Sequence, residues 1–458
     1  METVIKGGMI ITDKECFKGD ILIAGEKIAA VSDSISEQGR EVLDASGQYV
    51  FPGFIDAHTH FDLEGACRTA DDFYTGTRAA IIGGTTTILD FATQDRGVSS
   101  LEALQKWHVK ADGISSCDYG FHMSFTEWNE NLACELPVLA GMGVTSFKLY
   151  MAYKNLMVDD DTLAKVMAAV KVTGGITGVH CEEGDRIDQN IQKLLKEGHT
   201  SPRYHPVSRP PETEAAAIRR CIRAAQRAGA PVNIVHLSTK AGLEEVRKAR
   251  LEGQKVYVET CPQYLLLDDR SYDTKSEFEG AKYVLSPPLR KPEDRESLWK
   301  ALADNTVNTI GTDHCSFNFS GDKELGIKDF SKIPNGIPGV EHRPALLYTY
   351  GAMQGKISLN RMVELLSVNP AKLFGLYPRK GTLQAGSDAD IVIWNPESEW
   401  EIRAEDQIQN VDYTPYEGMK ADGRARTVFL RGVKIVDDYK IISEKKGKYI
   451  HRGKSIPF

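Results

Sequence analysis

Between residues 51 and 375 the chain alternates short, almost unbroken apolar runs with longer amphipathic stretches. Eight runs, at 53–56, 86–91, 119–125, 146–150, 176–180, 232–237, 255–260 and 309–311, predict strands. Apolar on nearly every residue, they suit parallel strands covered on both faces. Helix signals fall between them. Thr69-Ala70-Asp71-Asp72 has the look of a capping box ahead of a helix over 73–82, which Gly83-Gly84 ends. Ser99-Ser100-Leu101-Glu102 opens another helix that ends at Gly113. Eight β/α units in sequence predict an α/β fold, a TIM-type (β/α)8 barrel. An open doubly wound sheet is the alternative, but it would not easily gather polar strand ends from so many strands.

The two ends of the chain share a second pattern. Residues 4–11 and 428–436 both predict strand, glycine turn, strand; 20–28 predicts a hairpin and 387–394 a further strand. Together they predict a small β-sandwich domain built from both termini, 1–50 and 376–458, beside a catalytic barrel over 51–375. The tail from 440 to 458 carries Lys445, Lys446, Lys448, Arg452 and Lys454 and is expected to be solvated or packed on another subunit. Only Tyr449 interleaves those cations, which argues against a nucleic-acid arm.

Composition narrows the function classes. At 458 residues, 41% hydrophobic and 26% charged, the chain is an ordinary globular protein, and a net charge of −8 argues against nucleic acid as a partner. No apolar run approaches the roughly 20 residues that span a bilayer. The first residues lack the basic start and apolar core of a secretion signal, so no membrane association and a cytoplasmic location are expected. Eight cysteines without a Cys-x-x-Cys pair make neither a disulfide framework nor a thiolate metal site. Cys181 and Cys315 adjoin the residues considered next, so a nucleophilic thiol is a minor alternative.

Six residues carry the chemistry. His58 and His60 lie in Gly-Phe-Ile-Asp-Ala-His-Thr-His, Lys148 in Ser-Phe-Lys-Leu-Tyr, His180 in Gly-Val-His, His236 in Ile-Val-His and Asp313 in Ile-Gly-Thr-Asp-His. Each sits at or just beyond the end of an apolar run, where barrel enzymes place their working groups. His58 and His60, two apart on a strand, point the same way and can chelate one ion. A lone His-x-His is a weak signal, but two further strand-end histidines and a strand-end aspartate predict a two-metal site. Imidazole and carboxylate ligands suit zinc, with manganese, cobalt or iron as other candidates. Lys148 is the odd member, because a bare ammonium would be repelled by divalent cations. As a neutral amine it can take up carbon dioxide, and the carbamate (an N6-carboxylysine) would offer one oxygen to each metal. Two divalent ions with Asp313, a carbamate and a bridging hydroxide leave a formal charge of about +1, against about +3 with an ammonium there. A lysine paired with a carboxylate is the structural alternative.

The chain resembles the hydantoinase/dihydropyrimidinase group of the amidohydrolase superfamily over nearly its whole length. The motifs that carry the resemblance include the stretches at 53–60, 70–73, 83–87 and 146–154, then Ser-Arg-Pro-Pro-Glu (208–212), Glu-Thr-Cys-Pro-Gln-Tyr-Leu (259–265), Ser-Pro-Pro-Leu-Arg (286–290), Asp-His-Cys-Ser-Phe (313–317) and Ile-Pro-Asn-Gly (333–336). The resemblance implies one metal on His58, His60, carbamylated Lys148 and Asp313, and a second on the same carbamate, His180 and His236. It implies that Tyr153 stabilises the oxyanion and that Ser286 and Asn335 hold the cyclic amide through backbone groups. It implies hydrolysis of a small cyclic ureide or imide, a hydantoin or dihydropyrimidine, to an N-carbamoyl amino acid, by a homotetramer or dimer. Asp313 would also move the proton from the attacking water to the leaving nitrogen.

Related ring-openers are separated by loops. Dihydroorotases typically read His-x-His-x-Arg, whereas here Asp62 stands in place of the arginine and is expected to repel a carboxylate substrate. An allantoinase-like activity and a non-enzymatic interaction protein on the same fold are the alternatives. Glu64 and Arg68, in the loop that resembles the one covering the ring substituent, and Glu183, after His180, depart from the usual pattern. Glu183 either adds charge near the metals or faces solvent. His108, His122, His199, His205, His314, His342 and His451 are expected to be structural.

Overall fold

The computed structural model describes residues 2–65 and 67–458; Ala66, within the substituent-covering loop, and Met1 lie outside the described residues. Eight parallel strands follow one another around a barrel: β1 (Phe54–Thr59), β2 (Thr85–Thr93), β3 (Asp118–Ser124), β4 (Ser146–Tyr150), β5 (Ile176–His180), β6 (Val232–Ile234), β7 (Val256–Thr260) and β8 (Thr309–Ile310). Residues of β1, β3, β4 and β7 are buried throughout, the burial that double coverage by helices requires. The seam between β1 and β8 closes at the top, where the Asp313 N–H donates to the His58 carbonyl (2.9 Å) and the His60 N–H to that of His314 (2.8 Å). Lower down, the buried Arg343 guanidinium donates to the carbonyls of Ile55 (2.8 Å) and Ile310 (2.7 Å) and lies 3.6 Å from Asp56. Arg343 thus supplies hydrogen bonds that the short β8 cannot.

Each crossover contains a helix. The first, Phe73–Ile82, does begin with a capping box, but it is formed one turn later than expected: the Asp72 side chain accepts from the Thr75 N–H, and Thr75 Oγ1 in turn accepts from the Asp72 N–H. Thr69 lies too far from the first helical residue to cap it, and its hydroxyl accepts from the Leu63 N–H instead (2.9 Å). The helix that Ser99 caps runs over Ser100–Ala111. No helix among the described residues is long and apolar enough to cross a membrane.

Both termini contribute to a separate mixed sheet of nine strands. Glu2–Ile11 is a single strand and not the expected strand, turn, strand. Gly7, at φ +66°, forms a bulge with Gly8, so the strand keeps its partner Cys16–Ala24 while its halves pair with Glu41–Asp44 and Tyr49–Pro52. At the other end the expectation is met by Lys420–Leu430 and Val433–Asp437, joined through Arg431 and Gly432. Ile5, Ile21, Ile23, Ile391, Ile393 and Phe429 pack within this domain. Only Gly53 separates Tyr49–Pro52 from β1, so the sheet runs directly into the barrel.

The basic tail is not a free surface arm. Ile450 donates its N–H to Tyr119 (2.7 Å), and Arg452, 1% exposed, donates to Ser146 Oγ (2.6 Å) and the Phe121 carbonyl. The tail therefore crosses the N-terminal ends of β3 and β4, where strand carbonyls and the apolar contact of Ile450 hold it. Beside it Lys380 joins Asp118 (2.5 Å) and Asp390 (2.6 Å), a buried ionic tie between barrel and terminal sheet.

Candidate active site and metal centre

The six residues singled out in the sequence come together at the C-terminal mouth of the barrel. His58 and His60 turn their Nε2 atoms to one Asp313 oxygen, at 3.3 and 3.2 Å. Across the mouth His180 Nδ1 faces His236 Nε2 at 3.0 Å. His58, His236 and Asp313 have ligand-type atoms all within 4.8 Å of one another. Lys148 points between aromatic rings, its Nζ 4.7 Å from the Phe91 centroid and 5.1 Å from that of Tyr150. It makes no ion pair with any described carboxylate.

Burial sets the protonation of this cluster. It holds the imidazoles of His58 and His236 well below the usual histidine range, and that of His180 below it, so all three present lone pairs. Burial also lowers the Lys148 amine, with Asp313 and Glu259 opposing. For Asp313 burial acts upward, but the His58 and His60 rings outweigh it and the carboxyl lies below its ordinary value. Neutral imidazoles, an ionised carboxylate and an unpartnered, buried His58 Nε2 fit a divalent metal.

Three supporting carboxylates escaped the sequence reading. Glu259, at the end of β7, accepts from His58 Nδ1 (2.5 Å) and so aims Nε2 into the mouth. Glu182 lies 3.0 Å from His180 Nε2 and accepts from Arg209 (2.7 Å). Asp90 accepts from Thr59 Oγ1 (2.9 Å), the Phe61 N–H (2.8 Å) and Trp107 (3.1 Å), fixing the chain around His60. Glu182 was findable, since a residue two beyond a strand-end histidine shares its side. Glu259 was signalled by a carboxylate closing an apolar strand.

The mouth opens into a cavity of about 940 Å³. Lys148, Tyr153, His180, His236, Ser286 and Asn335 are among its lining residues. Ser286 Oγ and Asn335 Oδ1 are buried without a hydrogen-bond partner, the condition of groups that meet a ligand. Tyr153 has left-handed backbone (φ 69°), and burial raises its phenol to about 12, keeping it a neutral donor.

A profile of the amidohydrolase family matches residues 49–435. A D-hydantoinase of Geobacillus stearothermophilus is 46% identical to this chain over 458 residues, covering 99% of this chain and 97% of its own. The chain belongs to the amidohydrolase family. Within the amidohydrolases it falls in the hydantoinase/dihydropyrimidinase group. The crystal structure of a dihydropyrimidinase from Brevibacillus agri matches it with a TM-score of 0.98 at 44% identity, covering 99% of each chain. A D-hydantoinase structure from Bacillus sp. AR9 matches with a TM-score of 0.97 at 46% identity, again over 99% of each.

Several neighbours of the site bear on the chemistry of this amidohydrolase. Asp62 does not line the cavity; its carboxylate meets Arg68 and its carbonyl accepts from Lys110 (2.5 Å), so the expected repulsion of an anionic substrate is not exerted from the cavity wall. Glu64 does line it and pairs with Lys106 (3.0 Å) and Lys110 (3.4 Å). Glu183 turns toward Arg186 and Arg220, and it is Glu182 that meets His180. Burial pushes the thiols of Cys181 and Cys315 well up, which leaves no reactive thiolate there. His314, wholly buried, bonds Asp71 (3.0 Å) and serves the fold, as expected.

Proposed function

We propose that this amidohydrolase hydrolyses the cyclic amide bond of 5-substituted hydantoins or dihydropyrimidines and releases the N-carbamoyl amino acid. The observation that carries the reading is the meeting of six metal-competent side chains at the mouth of a cavity, in a chain that matches hydantoinases from end to end. His58, His60, Asp313 and Lys148 would hold one divalent ion, and Lys148, His180 and His236 the other, zinc being the metal that suits these donors. Such a pair supplies hydroxide near neutral pH and polarises the attacked carbonyl. Lys148 would serve as its carbamate; support comes from an amine that burial keeps toward the neutral, CO2-reactive form and that meets no carboxylate among the described residues.

The rest of the chemistry belongs to the chain itself. Tyr153 donates its phenolic hydrogen to the carbonyl oxygen as that oxygen gains charge. The Asp313 carboxylate takes the proton of the attacking water and returns it to the ring nitrogen that leaves. Ser286 and Asn335 hold the ring's amide edge through their backbone groups, which orients the scissile bond toward the metals. The D-hydantoinase names of the relatives favour the D-enantiomer as the preferred hand.

The test is ring opening of dihydrouracil and of both enantiomers of 5-benzylhydantoin by zinc-loaded protein, with dihydroorotate, allantoin and a chelator-treated control. Fast, chelator-sensitive opening of dihydrouracil or D-benzylhydantoin is expected. Opening of allantoin or dihydroorotate alone would overturn the substrate, and activity untouched by metal removal would overturn the mechanism.

A further inference from the structure

Lys323 is a wholly buried lysine outside the six-residue cluster. It opens a short 3-10 turn, Lys323–Gly326, in a stretch with no helical or strand period. Its ammonium donates to three backbone carbonyls: Val284 (2.9 Å), Pro334 (2.7 Å) and Gly336 (2.7 Å). Among the described residues no carboxylate pairs with it, and its ammonium also lies over the Phe317 ring, 5.9 Å from the centroid. Three acceptors match the three hydrogens of the protonated amine. Burial lowers the amine to about 7, with Cys315, Cys67 and Asp322 opposing. A buried cation is costly unless fully bonded, and an apolar side chain would fill the space more cheaply. A purpose beyond packing is therefore called for.

The identity of the carbonyls supplies it. Val284 lies two residues before Ser286, and Pro334 and Gly336 flank Asn335. The 284–287 segment is moored elsewhere, by His205 on the Leu285 carbonyl (2.8 Å) and Tyr264 on that of Pro287 (2.7 Å). The 334–336 segment is held less firmly. Its direct tie to the first is the Gly336 N–H on Val284 (3.1 Å), and Ile337 accepts from Cys315 (3.1 Å). Gly336 itself, at φ +149°, passes so close that a Cβ would stand 2.4 Å from the Cys315 carbonyl.

We propose that Lys323 is a positioning residue for ring binding: it staples the segment carrying Asn335 to the moored segment carrying Ser286 and so fixes the spacing between them. This rests on the reading of those two residues as the grip on the cyclic amide. Because they hold the ring before and during reaction alike, loss of the staple should act on KM more than on kcat.

The experiment compares wild-type enzyme with Lys323→Met, and with Lys323→Arg should the methionine variant not fold. Metal content and kinetics on the substrate the wild type opens best are measured, together with amide hydrogen exchange. In a folded variant with wild-type metal content, KM is expected to rise roughly tenfold or more while kcat changes less than about threefold. Exchange at 335–337 should quicken by at least about tenfold, and more than at 284–286. Exchange depends on no substrate, so it judges the staple even if the wild type opens no ring, an outcome that would overturn the functional reading alone. Wild-type KM and wild-type exchange in a folded variant would overturn the proposal. So would failure of both variants to fold, which would make Lys323 a folding residue.

Discussion

Tyr153, His236 and Asp313 all have left-handed backbone, at φ of 69°, 38° and 54°, without being glycine. Each such residue costs on the order of 1 kcal/mol and persists only where its surroundings dictate it. For Asp313 the N–H bond to His58 does so, and for His236 the N–H bond to Glu259 (3.3 Å). At these three positions the strain sets the direction of a side chain at the mouth, and Tyr153 is the one open to a clean test. Tyr153→Phe removes one donor and leaves the ring in place, so turnover should fall about 10²-fold with metal content unchanged. Near-wild-type turnover would dismiss the oxyanion role. At this scale the sequence was most legible where a ligand-type side chain ended an apolar run, as at His58, His180 and His236. It was least legible where a residue's meaning depends on a neighbour distant in sequence. Glu259 matters because the barrel carries it back to His58, and Lys323 because three carbonyls from two other segments converge on it.

Among the elements, the β1–β8 seam is the junction the pattern could not describe. β8 spans two residues, Thr309–Ile310, too few to close a barrel by its own ladder. Arg343 makes up the deficit from a helix that follows the barrel strands. Arg343→Met should cost roughly 3–5 kcal/mol, because two strand carbonyls lose their donor and buried Asp56 loses its cation. A urea-unfolding midpoint unchanged by the substitution would show that the seam closes without it. The eight strands themselves were readable because continuous apolar runs have one common use, burial between helices. Gly7-Gly8 misled for an equally physical reason: a glycine pair can turn a chain or bulge a strand, and the partner strand decides which. The capping box slipped by one turn because Thr69 and Asp72 both suit a cap and only the path of the chain selects between them.

As a whole, the molecule keeps several histidines neutral by burial, and acid should find that out. Burial, with Arg209 adding to it, takes His205 down to about 3, and burial takes His342 to about 3 as well. Between the ordinary histidine value near 6.5 and about 3 the folded chain binds fewer protons than the unfolded one. Stability from these sites is therefore full above about pH 6.5 and drains away as pH falls, by up to about 1.4 kcal/mol per pH unit for each histidine. His205→Gln should flatten that acid limb, losing less stability between pH 7 and 5 than the wild type does; equal losses would place the titration elsewhere. The overall plan of barrel and terminal sheet could be foreseen because each end of the chain has its own strand pattern. The docking of the tail could not, since a string of lysines and an arginine looks solvated until the strand ends that receive Arg452 are known.

The seam at β1 and β8 also orders events in time. A ribosome delivers His58, His60, Lys148, His180 and His236 one after another, but Asp313, whose N–H locks onto His58, arrives after all of them. A nascent chain stalled before residue 313 would carry five of the six side chains and none of the closure that gathers them, so the proposed metal site could not assemble before the final barrel strand is released.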